Sequence, residues 1–257
     1  MVMKAGYWGY PYMVCLLPII FFCQKLINQY SSMLQASTLE FLRELREHNV
    51  KDWFDENRSR YQAARNNVIA LVDRILEDMM GFEPGVRGLE AKKTLFRINR
   101  DIRFSKNKDP YKTNFGAWIV EGGKKSNLAG YYINIQPESI FIGGGVYMPP
   151  SPQLKLIRQQ IDLNAPRLRE IMADEEFKDY FGEMRGESLK TAPKGFEKDH
   201  PDIDLLRMKS FTFTREFNEA EALEADFAGQ VADGFATLQP FIAFLNEGLK
   251  YEEKAGA

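Results

Sequence analysis

Between Lys92 and Lys112 the chain carries eight basic residues (Lys92, Lys93, Arg97, Arg100, Arg103, Lys106, Lys108, Lys112) against two acidic ones, Asp101 and Asp109. The formal net charge of the 257 residues is −2, so this window reverses the sign of its surroundings and marks an anion-facing surface. Arginine forks match phosphate and carboxylate in bidentate fashion, and lysine adds compact charge. Phe96, Phe104, Tyr111 and Phe115 are interleaved with the cations. Arg97, Arg100, Arg103, Lys106, Lys108, Tyr111 and Lys112 are therefore candidate ligand-binding residues, with Tyr111 or Trp53 able to stack a base. The competing reading pairs Arg97, Arg100 and Arg103 with Asp52, Asp55, Glu56 or Asp101 in buried networks.

A second polar segment runs from Leu189 to Lys209 and contains Lys194, Lys198, Asp199, His200, Asp202 and Asp204. His200, one of two histidines, is the candidate general acid or base of an enzyme acting on an anionic substrate. A metal site on these aspartates needs convergent geometry that their spacing alone does not supply, and a loop-fixing His-Pro turn is the simpler role. His48 reads as a partner of a helix C-terminus. The expected site joins Arg100, Arg103 and Lys112 with Lys194 or His200 in one basic cleft.

Other patterns carry less. Glu121 to Ser126 echoes the end of a phosphate-binding loop but lacks its first glycine and precedes a strand. Gly143 to Gly145 has no strand–helix context and marks a close approach of backbone to backbone or ligand. Both cysteines, Cys15 and Cys23, precede residue 33, which excludes a thiol nucleophile, a thiolate metal site or a disulfide scaffold beyond it. No spacing selects a cofactor or a metal. The partners to expect are an anionic small molecule or nucleic acid.

The elements that must position these residues follow from periodicity. Ser37 to Glu40 spells a capping box before a short helix with Phe41, Leu42 and Leu45 on one face. Asp52 is placed to cap a longer helix, with Phe54, Tyr61, Val68, Leu71, Val72, Ile75, Leu76 and Met79 at three- and four-residue spacing. Thr94–Ile98, Phe115–Val120, Ala129–Gln136 and Ser139–Ile142 read as antiparallel strands joined by short turns, with Lys106–Pro110 as a loop. Ser151-Pro152 starts a helical region broken near Pro166, and Asp174–Phe181 is a further short helix. Met208–Thr214 is a last strand, and a closing helix reaches about Leu249. The fold class is α+β: one compact domain in which an antiparallel sheet packs on amphipathic helices.

Residues 1–32 differ from the rest. Tyr10 to Cys23 is an apolar run broken by Pro11 and Pro18, shorter than the ~20 residues of a membrane span. The segment reads as an over-extended reading frame ahead of Met33, or alternatively as a leader that associates with a membrane or directs export. Residues 33–257 form the expected domain, with a cytoplasmic location on the first reading.

Phe96-Arg-x-x-Arg-Asp-x-Arg-Phe-Ser-Lys-x-Lys-x-Pro-Tyr-Lys112 resembles the signature of domain of unknown function 2461, an uncharacterised family of bacterial and fungal proteins. Asn49 to Arg58, Gly143 to Pro149 and Ala192 to Pro201 extend the resemblance over roughly Leu39 to Leu249. It implies a single compact domain mixing helices and sheet; the family has no activity to carry over.

Overall fold

A computed structural model describes residues 33–250. The expectations for residues 1–32 lie outside the described residues, as do the last seven positions.

Helix α1 (Ala36–Glu47) does not use the expected capping box: Gln35 is its N-cap, and no side chain caps it. Asn67 fastens this end instead. Its Oδ1 accepts from the Gln35 backbone N–H at 3.0 Å and from Thr38 Oγ1 at 2.9 Å, and its Nδ2 donates to the Met33 carbonyl at 2.6 Å. Asp52 likewise is not a cap. It lies in the first turn of α2 (Lys51–Glu56), after the N-cap Val50, where its charge opposes the helix dipole favourably. Asn57 ends α2, and α3 (Arg58–Met79) begins behind it, burying Val68, Leu71, Val72, Ile75, Leu76 and Met79 as the spacing required.

After the turn Pro84–Val86 comes a single helical turn, α4 (Ala91–Thr94), in place of the expected strand start. Leu95 makes one antiparallel bridge to Ala117, and Asn99 makes one to Tyr111. The segment is therefore an irregular hairpin against the sheet edge, because its charges would fall on both faces of a regular strand.

The sheet is β1 (Phe115–Ile119), β2 (Gly130–Ile135), β3 (Ile140–Val146) and β4 (Phe211–Phe217), in that order and antiparallel throughout. The glycine run sits inside β3 and extends it beyond the expected end at Ile142. Between β3 and β4 come α5 (Ser151–Ala173), whose backbone leaves helical geometry at Asn164 just before Pro166, α6 (Glu175–Phe181) and α7 (Ile203–Leu206). Pro150, not Ser151, is the N-cap of α5. Asp174 caps α6 by accepting from the Phe177 N–H at 3.0 Å. A short α8 (Glu219–Ala222) with a capping box on Asn218 leads to α9 (Phe227–Leu249).

One sheet face is packed. Tyr131, Ile133 and Ile135 of β2, with Phe211 and Phe213 of β4, are buried among α3, α6 and α9. A Cβ on Gly144 would stand 2.7 Å from Leu238 Cδ2, which shows how closely α9 lies on β3. The architecture is α+β, with the antiparallel sheet packed on helices.

Candidate functional site

Strand alternation sends the neighbours of those core residues to the opposite face. In register order, Trp118, Tyr132, Gly143 and Thr214 form one row across β1 to β4, and Gly116, Asn134, Phe141 and Glu216 form the next. Trp118, Tyr132 and Phe141 are only partly buried. The irregular hairpin adds Phe96, whose N–H donates to the Gly116 carbonyl at 2.9 Å and whose side chain is 43% exposed. Ring centroids of Phe96 and Tyr132 are 6.4 Å apart, and those of Tyr132 and Phe141 are 5.8 Å apart.

The middle ring is held firmly. A Cβ on Gly116 would stand 2.3 Å from the Tyr132 hydroxyl, so the ring lies on the sheet only because residue 116 is glycine. That hydroxyl donates to Asn134 Oδ1 at 3.3 Å, which also accepts from Asn114 Nδ2 at 2.7 Å. Asn134 is buried, and its Nδ2 donates to the Ser139 carbonyl at 2.7 Å. Burial pushes the Tyr132 phenol upward. The network fixes an aromatic platform in one orientation.

Cations gather at the β1 edge. Lys112 Nζ lies 5.2 Å and Lys124 Nζ 5.5 Å from the Phe96 centroid. Lys124 also donates to the Leu95 carbonyl at 2.5 Å. Burial lowers the Lys112 ammonium from its ordinary value, and the charges of Arg97 and Lys124 lower it further. Among the described residues no carboxylate is ion-paired to Arg97, Lys112 or Lys124, although Arg97 helps Arg103 to hold the Asp101 carboxyl below its usual range.

The other expected residues sort differently. Arg103 forks onto Asp101 at 2.9 and 2.6 Å, but in the open, not in a buried network. Arg100 donates to the Asp109 carbonyl at 3.2 Å and stands 3.9 Å from its carboxylate. Lys108 donates to the Ile102 carbonyl at 3.0 Å, and Lys106 is exposed. Phe104 is 94% exposed at the tip of this loop, with the Arg103 guanidinium 5.8 Å from its ring. Tyr111 is 7% exposed and stacks on Phe54 with centroids 4.0 Å apart, so it belongs to the core. Trp53 stacks between Phe41 and His48 at 6.1 and 5.8 Å.

His200 uses both ring nitrogens. Nε2 meets Asp162 Oδ1 of α5 at 3.0 Å, and Nδ1 accepts from the Asp202 N–H at 3.1 Å. The second bond fixes the tautomer with hydrogen on Nε2, which then donates to Asp162. Arg169 binds Asp202 at 2.9 Å and Asp204 at 2.8 Å, so those carboxylates answer a guanidinium. Lys194 is exposed. Among the described residues no hydrogen bond, ion pair or ring contact joins this segment to the 92–112 stretch, so the expected common pocket is not formed by direct contact. A separate hollow between α3 and the Pro84–Val86 turn is lined by Asp73, Glu77, Met80 and Leu89, and its charge has the opposite sign.

The sequence singles out none of Tyr132, Asn134 and Phe141 as a site residue, and Lys124 only as part of the Glu121–Ser126 stretch set aside above. The alternation of β2 already put Tyr132 and Asn134 opposite the buried residues. Lys124 arrives through the hairpin turn at Gly122-Gly123, both at positive φ; the glycine pair announces a turn, but not that it sets Lys124 beside Phe96.

Among the described residues, the α+β fold thus has one sheet face covered by helices and another that carries partly exposed rings, with cations at its β1 edge. The family model described as "Conserved hypothetical protein (DUF2461)" matches residues 37–244, and the chain belongs to that family. No curated protein and no solved structure matches. No described helix is long and apolar enough to cross a membrane.

Proposed function

We propose that the protein is a binding module for a phosphate-bearing anion, seated where Lys112 and Lys124 flank Phe96 and the charge of Arg97 reaches Lys112. The observation that carries this reading is Lys112: a partly buried ammonium with two like charges close by and no described carboxylate paired to it. Like charges held together without a counterion raise the energy of the free site, and an anion relieves that repulsion. Phe96 supplies an apolar floor and a quadrupole that tolerates the cations. An enzyme with His200 as acid or base is disfavoured, since both ring nitrogens are engaged in fixing their loop. The ligand class and the lack of cysteine in residues 33–250 fit a reducing, cytoplasmic setting.

The test is thermal unfolding of the protein with sodium tripolyphosphate, against sodium chloride at matched ionic strength. A ligand at a hundred times its Kd adds about 2.7 kcal/mol, so a dose-dependent rise in Tm is expected with tripolyphosphate alone. Equal curves in the two salts would refute the reading.

A further inference from the structure

The cations account for one edge of the open face but not for what lies inward of it. Phe96, Tyr132 and Phe141 form a diagonal of neighbouring rings running from that edge to β3, at 6.4 and 5.8 Å between centroids. The rings are partly exposed, although Tyr131, Ile133 and Ile135 on the other face are buried. An inorganic anion has no use for such a row. A chain of bases with a charged backbone does, because every base has a π-face and every linkage a phosphate.

Resting on the anion-binding reading above, we propose that the open sheet face is a docking track for single-stranded nucleic acid. Phe96, Tyr132 and Phe141 are the base platforms, and Arg97, Lys112 and Lys124 hold the phosphates.

Three features favour this occupant. The platforms belong to neighbouring segments of one sheet surface, the arrangement by which open sheets stack about two or three unpaired bases. Tyr132 is locked by Gly116 and by the Asn114–Asn134 network, so little side-chain freedom is lost on stacking. The charge is placed asymmetrically. The cations lie at the β1 edge, while at the β4 side Glu216 is 3.6 Å from Arg185, which directs the backbone along the first edge and the bases inward. A duplex, whose bases are already stacked on one another, could use only the charges.

The test is fluorescence anisotropy with fluorescein-labelled ten-nucleotide poly(dT), the matching poly(rU), and a duplex of the same length. The single strands are expected to bind and the duplex to bind at least tenfold more weakly, with the poly(dT) and poly(rU) affinities reporting any preference for sugar. With about three phosphates engaged, the slope of log affinity against log salt should be about −2. Phe141→Leu, which keeps apolar volume on β3, and Phe96→Ala, at an exposed ring, should each weaken single-strand binding by roughly 5- to 150-fold. Phe141→Leu should leave tripolyphosphate affinity within about twofold, and its Tm shows whether it folds.

Equal affinity for duplex and single strand, or unchanged single-strand binding by both ring variants, would overturn the proposal. If Lys112→Met still abolishes tripolyphosphate binding in that case, only the nucleic-acid inference falls. If tripolyphosphate binds wild type and Lys112→Met alike, the anion site itself is wrong and both fall.

Discussion

Lys112 Nζ stands 5.2 Å from the centre of the Phe96 ring, with its stem partly buried and its nearest charged influences, Arg97 and Lys124, of the same sign. A lysine so placed costs the folded state something. Replacing it by an isosteric apolar side chain, Lys112→Met, should leave Tm unchanged or raise it while removing the response to tripolyphosphate. The pH dependence has a definite sign. The folded-state pKa of Lys112 lies below the ordinary 10.5, so the unfolded state holds the proton more tightly and wild-type stability rises with pH between those two values. The stability advantage of Lys112→Met should therefore shrink as pH approaches 10.5, as measured by denaturant unfolding of both proteins in parallel.

Asn67, and not a capping box, organises the start of α1. Asn67→Ala strips acceptors from the Gln35 N–H and Thr38 hydroxyl and the donor from the Met33 carbonyl. Leaving buried groups without partners costs about 1–3 kcal/mol, and the loss should appear in urea unfolding. Ser37→Ala should change stability by less than about 0.5 kcal/mol, the reverse of what the sequence motif suggests.

Tyr131 donates to Glu83 Oε2 at 2.9 Å from within the core. Burial, followed by the Glu83 charge, pushes its phenol far above the ordinary 10.0, so it remains a donor. Tyr131→Phe should cost about 1.5–3 kcal/mol, the range for a hydrogen bond to a charged group. This group's contribution is complete below pH 10 and fades above it, as the unfolded phenol ionises first. The variant's deficit should narrow in alkaline unfolding experiments.

Two changes separate structural roles from binding. His200→Ala should lose about 1–2 kcal/mol through its two bonds to Asp162 and Asp202, with tripolyphosphate affinity unchanged. Arg103→Ala removes an exposed pair with Asp101 and should leave stability essentially unchanged. Its effect on anion affinity should be smaller than that of Lys112→Met, because its guanidinium already has a carboxylate. Calorimetric titration alongside thermal unfolding checks both.

Much of this was legible in sequence. Ala129–Gln136 read as a strand and Val68 through Met79 announced the core stripe of α3, because burial imposes a period. The charge reversal at Lys92–Lys112 contains Arg97 and Lys112, whose charges lie close enough in the fold to act on one another. What stayed hidden depends on contacts between distant segments. Asn67 replaces a local cap from 32 residues beyond Gln35. Lys124 joins Lys112 only once a hairpin has turned back. Tyr111 looked like a ligand platform because its neighbours are charged, yet its ring packs on Phe54. His200 and the basic stretch were linked by composition alone, and the folded chain ties the histidine to α5.

Isothermal titration of sodium tripolyphosphate into wild type and Lys112→Met, at low salt and near neutral pH, tests directly whether Lys112 belongs to an anion site. Losing one charge-assisted hydrogen bond of about 1.5–3 kcal/mol corresponds to a roughly 10- to 150-fold weaker Kd. Binding to wild type should be saturable, with at least a tenfold loss in a variant that melts no lower. Equal affinities for the two proteins, or no heat of binding with wild type, would contradict that placement of Lys112.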